Sequence, residues 1–280
     1  MTAILLSLGA CLGWGIADFI GGVKSRRIKP LAVMLIANPF GILIIAVIVL
    51  VQGTPFPANN SMVWAALSGF AGVFALYLLY QALAIGPMSI VAPISGTGVI
   101  LPVLFGLLQG DTLSMLQGAG ILAAVIGTIF ASREKRRQGN SVPVVRGLNY
   151  ALASAIGVGF YFIFMDIASD TDPYWASLVM RVSYGLLLVP ILFLSRTSIK
   201  GVRAHILPIG VMGIIDAFAG FSFALASTKG MLSVVSVISA LYPGITVLLS
   251  SIFLKERLQS IQVVGVALAL IGIVLLSAAW

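Results

Sequence analysis

Apolar runs, each long enough to cross a lipid bilayer, make up most of this 280-residue chain. Hydrophobic residues account for 60% of the sequence and charged residues for only 9%, whereas soluble proteins contain about 25% charged residues. Each crossing needs about 20 apolar residues, so ten crossings leave too little chain for a domain outside the membrane. The sequence therefore predicts an all-α integral membrane protein.

Proline, glycine and charged residues divide the chain into ten predicted transmembrane helices. The connections at Gly86-Pro87 and Lys229-Gly230 are very short, which makes helices three and four, and helices eight and nine, antiparallel neighbours. The predicted spans are 3–22, 31–51, 62–85, 88–108, 113–132, 147–167, 174–194, 205–228, 231–253 and 259–279.

The net charge of +8 does not indicate nucleic-acid binding, because the basic residues lie in short connections between apolar runs. Connections 1–2, 5–6, 7–8 and 9–10 hold four, five, three and two basic residues, whereas the other connections hold only Lys229. Positively charged connections tend to stay in the cytoplasm. We therefore expect a multi-pass protein of the plasma (inner) membrane with both termini on the non-cytoplasmic side.

The two halves of the chain resemble each other in sequence. Gly13 matches Gly157, and the segment 89–95 matches the segment 233–239. Each half contains five predicted helices, and because five is an odd number the second copy must cross the membrane in the opposite direction. Inverted repeats are typical of secondary transporters, in which a site near the bilayer midplane opens alternately to either side.

These matches predict a division of the chain into three parts. Residues 1–132 form the first five-helix repeat, residues 133–146 form a basic cytoplasmic linker, and residues 147–280 form the second, inverted repeat. The fold class predicted from the sequence is therefore an all-α integral membrane protein with ten transmembrane helices in two inverted five-helix repeats.

A twin motif follows the fourth helix of each repeat. It consists of an acidic residue, a Gln six residues later, a Gly three residues after that, and a second Gly seven residues further on. Together with the segments 82–96 and 242–258, this motif resembles the EamA-type transporters of the drug/metabolite transporter superfamily. The motif residues are Asp111, Gln117, Gly120 and Gly127 in the first half, and Glu256, Gln262, Gly265 and Gly272 in the second.

The chain departs from the family pattern at two places. Asp111 stands where the family usually has Glu, and Pro102 and Pro243 differ by about one helical turn in their distance from the acidic residue. The resemblance implies a bundle in which helices five and ten are peripheral and the others enclose a cavity. It also implies export or exchange of small metabolites.

The resemblance leaves the function open among several transported solutes and mechanisms. We expect a secondary-active transporter of amino acids, other metabolites or drugs, acting as a monomer or homodimer, with protons as the candidate coupling ion. A sugar or nucleotide-sugar carrier is the alternative. A passive channel is disfavoured because the repeats supply no ring of like charges.

Motifs for catalysis and metal binding are missing from the sequence. Cys11 is the only cysteine and His205 the only histidine, which excludes an intrachain disulfide, a thiol metal cluster and a His-based triad. The sequence also has no phosphate-binding P-loop. We therefore expect no enzymatic activity, no metal and no cofactor.

Charged residues within the predicted helices are the candidate coupling residues, because such residues are costly and usually functional. At 1.5 Å per residue, Arg181 lies about 11 Å and Asp216 about 18 Å below the same surface, so the two side chains could pair. Protonation of Asp216 would break this pair, free Arg181 for a substrate carboxylate and link proton movement to transport. A purely structural ion pair is the alternative. Asp18 is a second candidate coupling residue.

Prolines and glycines in helix four weaken its hydrogen-bond ladder and could expose carbonyl groups to a polar cavity, and helix nine has Ser236, Ser239, Tyr242 and Pro243 in the matching region. The segment from Pro93 to Pro102 contains two prolines and two glycines. Deep aromatic residues also suggest a hydrated cavity, because a buried hydroxyl needs a partner. Kinked helices packed through small residues are the alternative. The predicted substrate-binding residues are Trp14, Tyr77, Tyr80, Ser95, Thr97, Tyr161, Arg181, Ser239 and Tyr242.

Overall fold

The computed structural model describes residues 1–131, 141–195, 202–255 and 259–278, and all regular secondary structure within these ranges is helical. Glu256, Trp280 and residues 133–140 of the predicted linker lie outside them. The helices are α1 (Thr2–Ser25), α2 (Pro30–Gln52), α3 (Met62–Ile85), α4 (Met88–Gly96), α5 (Ile100–Gln109), α6 (Met115–Ala131), α7 (Ser141–Ser169), α8 (Pro173–Ser195), α9 (Ile206–Ser227), α10 (Leu232–Ser239), α11 (Tyr242–Phe253) and α12 (Ser260–Ala278).

Eight apolar helical stretches in the described residues are long enough to cross a bilayer, and a shorter apolar stretch lies within α6. Two of the eight are broken, one into α4 and α5 and the other into α10 and α11. The largest difference from the predicted helix boundaries lies at the start of α7. Helix α7 begins at Ser141, within the predicted linker, since Pro143 falls in its first turn, where a proline costs no helical hydrogen bond.

The break between α4 and α5 lies within the segment from Pro93 to Pro102, whose prolines and glycines predict it, and the break between α10 and α11 lies in the matching region of the second half. A 3-10 turn at Thr97–Val99 separates α4 from α5, and the Thr97 hydroxyl donates to the Ile94 carbonyl at 2.7 Å. The two breaks pack against each other: a Cβ on Gly96 would lie 2.8 Å from the Pro243 ring. Only glycine permits such a close approach, so this part of the backbone contributes to helix packing at the centre of the bundle.

The other helices pack against these broken spans and against one another. Helix α1 packs against α9 and α11, and α3 packs against α7 and α8. Helix α2 packs against α8 and α9. Helices α6 and α12 pack chiefly against each other. The side chains that line the space between these helices come from α1, α3, α7, α8, α9 and α11.

Glycines of the twin motif allow α6 and α12 to cross closely. A Cβ at Gly120 would lie 3.0 Å from the Gly272 carbonyl oxygen, and a Cβ at Gly272 would lie 2.7 Å from the Gly120 oxygen. Small residues at such positions let helix backbones approach each other in a membrane. These two glycines of the motif therefore serve helix packing.

The motif glutamines act at the beginnings of the same two helices. The Ser114 N–H donates to Gln117 Oε1 at 2.8 Å and the Gln117 N–H donates to Ser114 Oγ at 3.2 Å, which is a capping box. The Gln259 N–H donates to Gln262 Oε1 at 2.9 Å. Each glutamine therefore satisfies a backbone donor that the first turn of a helix leaves without a partner.

Asp111, the acidic residue of the first motif, holds the beginning of α10. Its Oδ2 accepts the Ser233 N–H at 3.0 Å and the Ser233 hydroxyl at 2.6 Å. A Cβ on Gly106 would collide with the same carboxylate, so the glycine leaves the space that Asp111 occupies. We call Gly106, Asp111 and Ser233 the α5–α10 junction.

Contacts between connections define the two ends of the bundle. At one end, Trp175 Nε1 donates to the Thr54 carbonyl at 2.9 Å and Asn59 Nδ2 donates to Thr171 Oγ1 at 3.5 Å. At the other end, Arg26 Nε donates to the Leu83 carbonyl at 3.4 Å. The α2–α3 and α7–α8 connections therefore share one end, and the α1–α2 connection lies beside the end of α3.

Candidate functional site

A cavity with an empty volume of about 610 Å³ lies at the centre of the bundle. This volume includes the part of the space that is open to solvent. It is lined by Trp14, Asp18, Gly72, Ala75, Leu76, Leu79, Val158, Tyr161, Phe162, Met180, Arg181, Tyr184, Asp216 and Tyr242.

Aromatic side chains from three helices form one wall of the cavity. The Trp14 ring on α1 makes edge contacts with Tyr161 on α7, at a centroid distance of 5.9 Å, and with Tyr242 on α11, at 6.1 Å. Gly15 allows this arrangement, because a Cβ at that position would overlap Ile245 on α11. The close approach of α1 and α11 thus places Trp14 beside Tyr242.

An ion pair between α8 and α9 lies in the lining of the cavity. Arg181 Nη1 donates to Asp216 Oδ2 at 2.7 Å, and the two side chains are 6% and 16% exposed. Asn38 Nδ2 donates to the Arg181 carbonyl at 3.3 Å, which ties α2 to α8. Within the described ranges, Arg181 Nε is buried without a hydrogen-bond partner. The pair that the depth estimate suggested is therefore present.

Asp18 on α1 is a second carboxylate in the same cavity. Its side chain is almost fully enclosed, since the residue is only 4% exposed. It interacts electrostatically with Asp216. Among the residues that the structure describes, Asp18 accepts no hydrogen bond and forms no ion pair. The cavity thus contains two carboxylates and one guanidinium group.

Six of the eleven predicted site residues line the central cavity and five do not. The residues in the cavity are Trp14, Asp18, Tyr161, Arg181, Asp216 and Tyr242. Ser95 is buried behind this wall, where its hydroxyl hydrogen-bonds Ser154 Oγ at 2.8 Å and interacts with Tyr242.

Thr97 and Ser239 lie at the helix breaks instead of the central cavity. Thr97 lines a smaller space, with an empty volume of about 260 Å³, together with Val237 and Leu241. Ser239 is fully buried, and its hydroxyl has no hydrogen-bond partner among the described residues. Both side chains therefore belong to the packing region between the two broken spans.

Tyr77 and Tyr80 on α3 do not line the cavity, although Tyr80 interacts electrostatically with Asp18 and Asp216. The Tyr77 hydroxyl accepts a hydrogen bond from Gln81 Nε2 at 2.8 Å. Tyr80 is buried against Gly21, and its hydroxyl donates to Met212 Sδ at 3.7 Å. The neighbouring residues of α3 line the cavity instead, at a spacing of three, one and three residues: Gly72, Ala75, Leu76 and Leu79.

The sequence-based prediction missed Tyr184, which lines the cavity close to three charged groups. Its hydroxyl interacts electrostatically with Asp216, Arg181 and Asp18. Tyr184 follows Arg181 by three residues, and residues at this spacing share a helix face. That spacing is the feature of the sequence that indicates Tyr184 once Arg181 is chosen as a site residue.

The arrangement suits reversible binding of a solute. Its aromatic wall can bury an apolar body, and its charged groups can accept or exchange hydrogen bonds. The described residues contain no group of three His, Cys, Asp or Glu side chains that could hold a metal ion.

Comparison with known proteins places this geometry in a family. The model of the EamA-like transporter family matches residues 1–133 and 145–278. A crystal structure of another protein aligns with 98% of this chain and 95% of its own, with a TM-score of 0.77 and 19% identity, so the two share a fold.

Three relatives resemble the chain in sequence. A protein of Enterococcus faecalis, provisionally named ribose uptake protein RbsU, is 24% identical over 99% of this chain and 97% of the relative. A protein of Lactobacillus johnsonii with the same name is 26% identical over 90% of this chain and 86% of the relative. An uncharacterised protein of Methanocaldococcus jannaschii is 33% identical over 46% of this chain and 93% of the relative. Because the family model covers nearly the whole sequence, this chain belongs to the EamA-like transporter family and is a multi-pass membrane transporter of small molecules.

Proposed function

We propose that this protein is a secondary-active transporter that exports or exchanges a small organic solute by alternating access. The observation that carries this proposal is the central cavity, whose lining comes from both halves of the chain and includes an ion pair and an aromatic wall. Alternating access requires one site between two halves that can move against each other. Amino acids, other metabolites and drugs are the candidate solutes.

We further propose ten crossings in two inverted repeats, residues 1–132 and 147–280. Helix packing supports this arrangement. In two repeats, α1 corresponds to α7, α3 to α9 and α6 to α12. The contact of α1 with α9 then has its counterpart in the contact of α7 with α3, and both contacts are present. Helix α6 packs against its own counterpart, α12. Helix α6 rises about 26 Å and α12 about 28 Å, close to the thickness of a bilayer core. The M. jannaschii relative, which matches only 46% of this chain, resembles a single repeat.

The proposed orientation places both termini outside the cytoplasm, in the plasma (inner) membrane. The α2–α3 and α7–α8 connections share one end of the bundle and lack the basic residues of the α1–α2 connection. A cysteine at exposed Asn59 or Asp170, in a Cys11→Ser background, should react with a membrane-impermeant maleimide in intact cells. A cysteine at exposed Arg27 should react only after permeabilisation. Labelling of Arg27→Cys in sealed cells would overturn this orientation.

We propose that the Arg181–Asp216 pair couples transport to protons, with Asp18 as the second titratable carboxylate. A proton on Asp216 removes the negative charge that holds Arg181 and so changes the contact between α8 and α9. Since this pair is buried and lines the cavity, its rupture would alter both the charge of the site and the packing of two helices.

Transport in proteoliposomes tests the function and the coupling together. A panel of labelled amino acids, amines, sugars and drugs is applied with and without an imposed pH gradient. We expect gradient-stimulated transport of at least one solute by the wild type. Asp216→Asn should keep exchange without a gradient but lose the stimulation. Undiminished proton-driven transport by a well-folded Asp216→Asn variant would remove Asp216 from the coupling mechanism.

A sugar carrier is the second candidate function, favoured by the names of the E. faecalis and L. johnsonii relatives. Aromatic rings such as Trp14 can stack on a sugar ring, and carboxylates accept hydrogen bonds from hydroxyl groups. Labelled ribose is the arm of the panel that separates the two proposals. Ribose transport that unlabelled amines do not inhibit would favour the sugar carrier.

A further inference from the structure

Asp18 is a carboxylate at the surface of the central cavity to which the described part of the chain donates no hydrogen bond. The residue is 96% enclosed, yet it has neither a hydrogen bond nor an ion pair among the described residues. An ionised carboxylate removed from water loses hydration that only a cation or several donors can replace. Because Asp18 lines the cavity, a bound solute is in a position to supply the missing donor.

The groups around Asp18 do not supply that donor themselves. The charged and titratable side chains that interact with it are Asp216 on α9, Tyr80 on α3, Tyr184 on α8 and Tyr242 on α11. Asp216 is a carboxylate that already pairs with Arg181, and the Tyr80 hydroxyl donates to Met212. The environment of Asp18 is therefore short of positive charge.

Counting formal charges in the cavity leads to the same conclusion. Arg181 is the one guanidinium group in the lining, and Nη1 is bound to Asp216 at 2.7 Å. With both carboxylates ionised, the lining carries one uncompensated negative charge, and that charge is on Asp18. An anionic solute would have to bind against this charge, whereas a solute with one positive charge would neutralise it.

The aromatic wall lies next to this carboxylate. Trp14 precedes Asp18 by four residues on α1, so the two side chains share a helix face. The Trp14 ring also contacts Tyr161 and Tyr242. The faces of aromatic rings attract organic cations, most strongly in the case of Trp. A carboxylate beside several aromatic rings is therefore suited to an ammonium group attached to an apolar or aromatic body.

We propose that the central cavity selects protonated amines, with the ammonium group bound to Asp18 and the apolar body against Trp14, Tyr161 and Tyr242. The inference rests on the proposed function, because it assigns a class of solute to the same cavity. The ammonium donates the hydrogen bonds that Asp18 lacks, and the Arg181–Asp216 pair stays intact while the amine is bound. A zwitterion or an acid would gain its second charged contact only by breaking that pair.

Four probes with one 4-hydroxyphenyl body and different charges test the proposal. They are tyramine, a cation; tyrosol, a neutral alcohol; tyrosine, a zwitterion; and 4-hydroxyphenylacetate, an anion. Their binding to purified full-length protein is measured by isothermal titration calorimetry at neutral pH. We expect tyramine to bind at least about tenfold more tightly than the other three, since a charge-assisted hydrogen bond is among the strongest that a cavity can offer.

A variant then assigns the selectivity to Asp18. Asp18→Asn keeps the shape of the side chain and removes its charge, so it should weaken tyramine binding by at least about tenfold and leave tyrosol binding within twofold. The matched control is Asp170→Asn, which neutralises an exposed carboxylate in the α7–α8 connection and should leave all four affinities unchanged. Should Asp18→Asn fail to fold, the order of affinities on the wild type still decides the matter.

Equal binding of tyramine and tyrosol, or tighter binding of tyrosine than of tyramine, would overturn the proposal. So would an absence of binding of all four probes at millimolar concentration. Transport assays keep this outcome separate from the proposed function. Transport of other solutes, with no preference for amines, would leave the transporter proposal standing and remove the selectivity. Amine binding without transport of any solute would leave the selectivity standing and remove the transporter proposal.

Discussion

The carboxylates of Asp111 and Asp18 meet opposite environments in the same half of the molecule. At the α5–α10 junction, Asp111 accepts a backbone N–H and a hydroxyl group from Ser233. In the central cavity, Asp18 is more deeply enclosed but has no donor from the described part of the chain. A carboxylate whose lone pairs are filled by its own protein holds the framework together. One that is enclosed without a donor costs stability, and the cost is repaid only when a solute or a proton arrives.

Arg181 and Asp216 lie between these two extremes. Their side chains are largely buried and neutralise each other's charge, as in an ion pair that only stabilises a fold. They nevertheless line the cavity together with Asp18. Breaking such a pair from one side leaves a buried charge with no partner. Mutations at Asp111, at Asp18 and in the Arg181–Asp216 pair are therefore expected to change stability by different amounts and in different directions.

The largest effect is expected from Arg181→Gln. This change leaves Asp216 and Asp18 together in the cavity without a cation, which should lower the stability by about 3–5 kcal/mol. A large fall in the midpoint of thermal unfolding in detergent is the expected observation. The double variant Arg181→Gln, Asp216→Asn should recover most of the loss, because it removes the stranded carboxylate. An unfolding midpoint equal to that of the wild type in the single variant would show that the pair contributes no stability.

A smaller loss is expected at the α5–α10 junction. Asp111→Ala removes both acceptors that hold the beginning of α10 and should cost about 1–2 kcal/mol, as the loss of other helix caps does. Thermal unfolding measures this loss. Gly106→Ala should have a similar effect without removing the carboxylate, because the added methyl group would occupy the place of the Asp111 side chain.

Asp172→Ala is the matched control for the junction. The Asp172 carboxylate caps its own helix, accepting the N–H groups of Tyr174 and Trp175 at 2.8 and 2.9 Å. It therefore shares the chemistry of Asp111 but does not join the two halves. If only capping matters, the two alanine variants should lose equal stability. A stable Asp111→Ala protein beside an unstable Asp172→Ala protein would contradict the role given to the junction.

Asp18→Asn is expected to raise stability, whereas the variants described so far lower it. Removing a buried carboxylate without a partner should raise stability at neutral pH, even though the same change weakens binding. Functional sites often show this exchange of stability for activity. A higher unfolding midpoint for Asp18→Asn, next to a lower one for Asp111→Asn, would separate the two carboxylates. Destabilisation of both variants to the same extent would remove the distinction between them.

The features of the fold that depend on one-dimensional spacing were predictable from the sequence. Helix boundaries follow from prolines, glycines and charges, and the break after Gly96 lies in the segment whose prolines and glycines indicate it. The Arg181–Asp216 pair was predictable for a similar reason, since the rise of a helix fixes the depth of each residue. The number of crossings and the inversion of the repeats remain proposals.

The rotation of each helix about its axis could not be predicted. Helix α3 is apolar on all sides, so its pattern does not indicate which face meets a cavity. Choosing residues by type selected Tyr77 and Tyr80, whereas the face that meets the cavity carries Gly72 and Leu76. Tyr184 was missed for the converse reason, because its importance arises from its neighbours on other helices.

The smallest effect is expected from a change that keeps an aromatic ring in the cavity. Trp14→Phe retains a flat apolar surface but weakens the attraction for a cation, because Trp binds cations more strongly than Phe does. We expect the affinity for tyramine to fall by about three- to tenfold, with little change in stability.

Trp64→Phe is the control: Trp64 lies on α3, is 40% exposed and packs against Phe164 outside the cavity. This variant should bind tyramine as the wild type does. Equal losses of affinity in the two variants would mean that Trp14 acts on the bundle as a whole. A loss confined to Trp14→Phe would place the ammonium group between this ring and Asp18, in the part of the molecule whose hydrogen bonds the protein leaves unfilled.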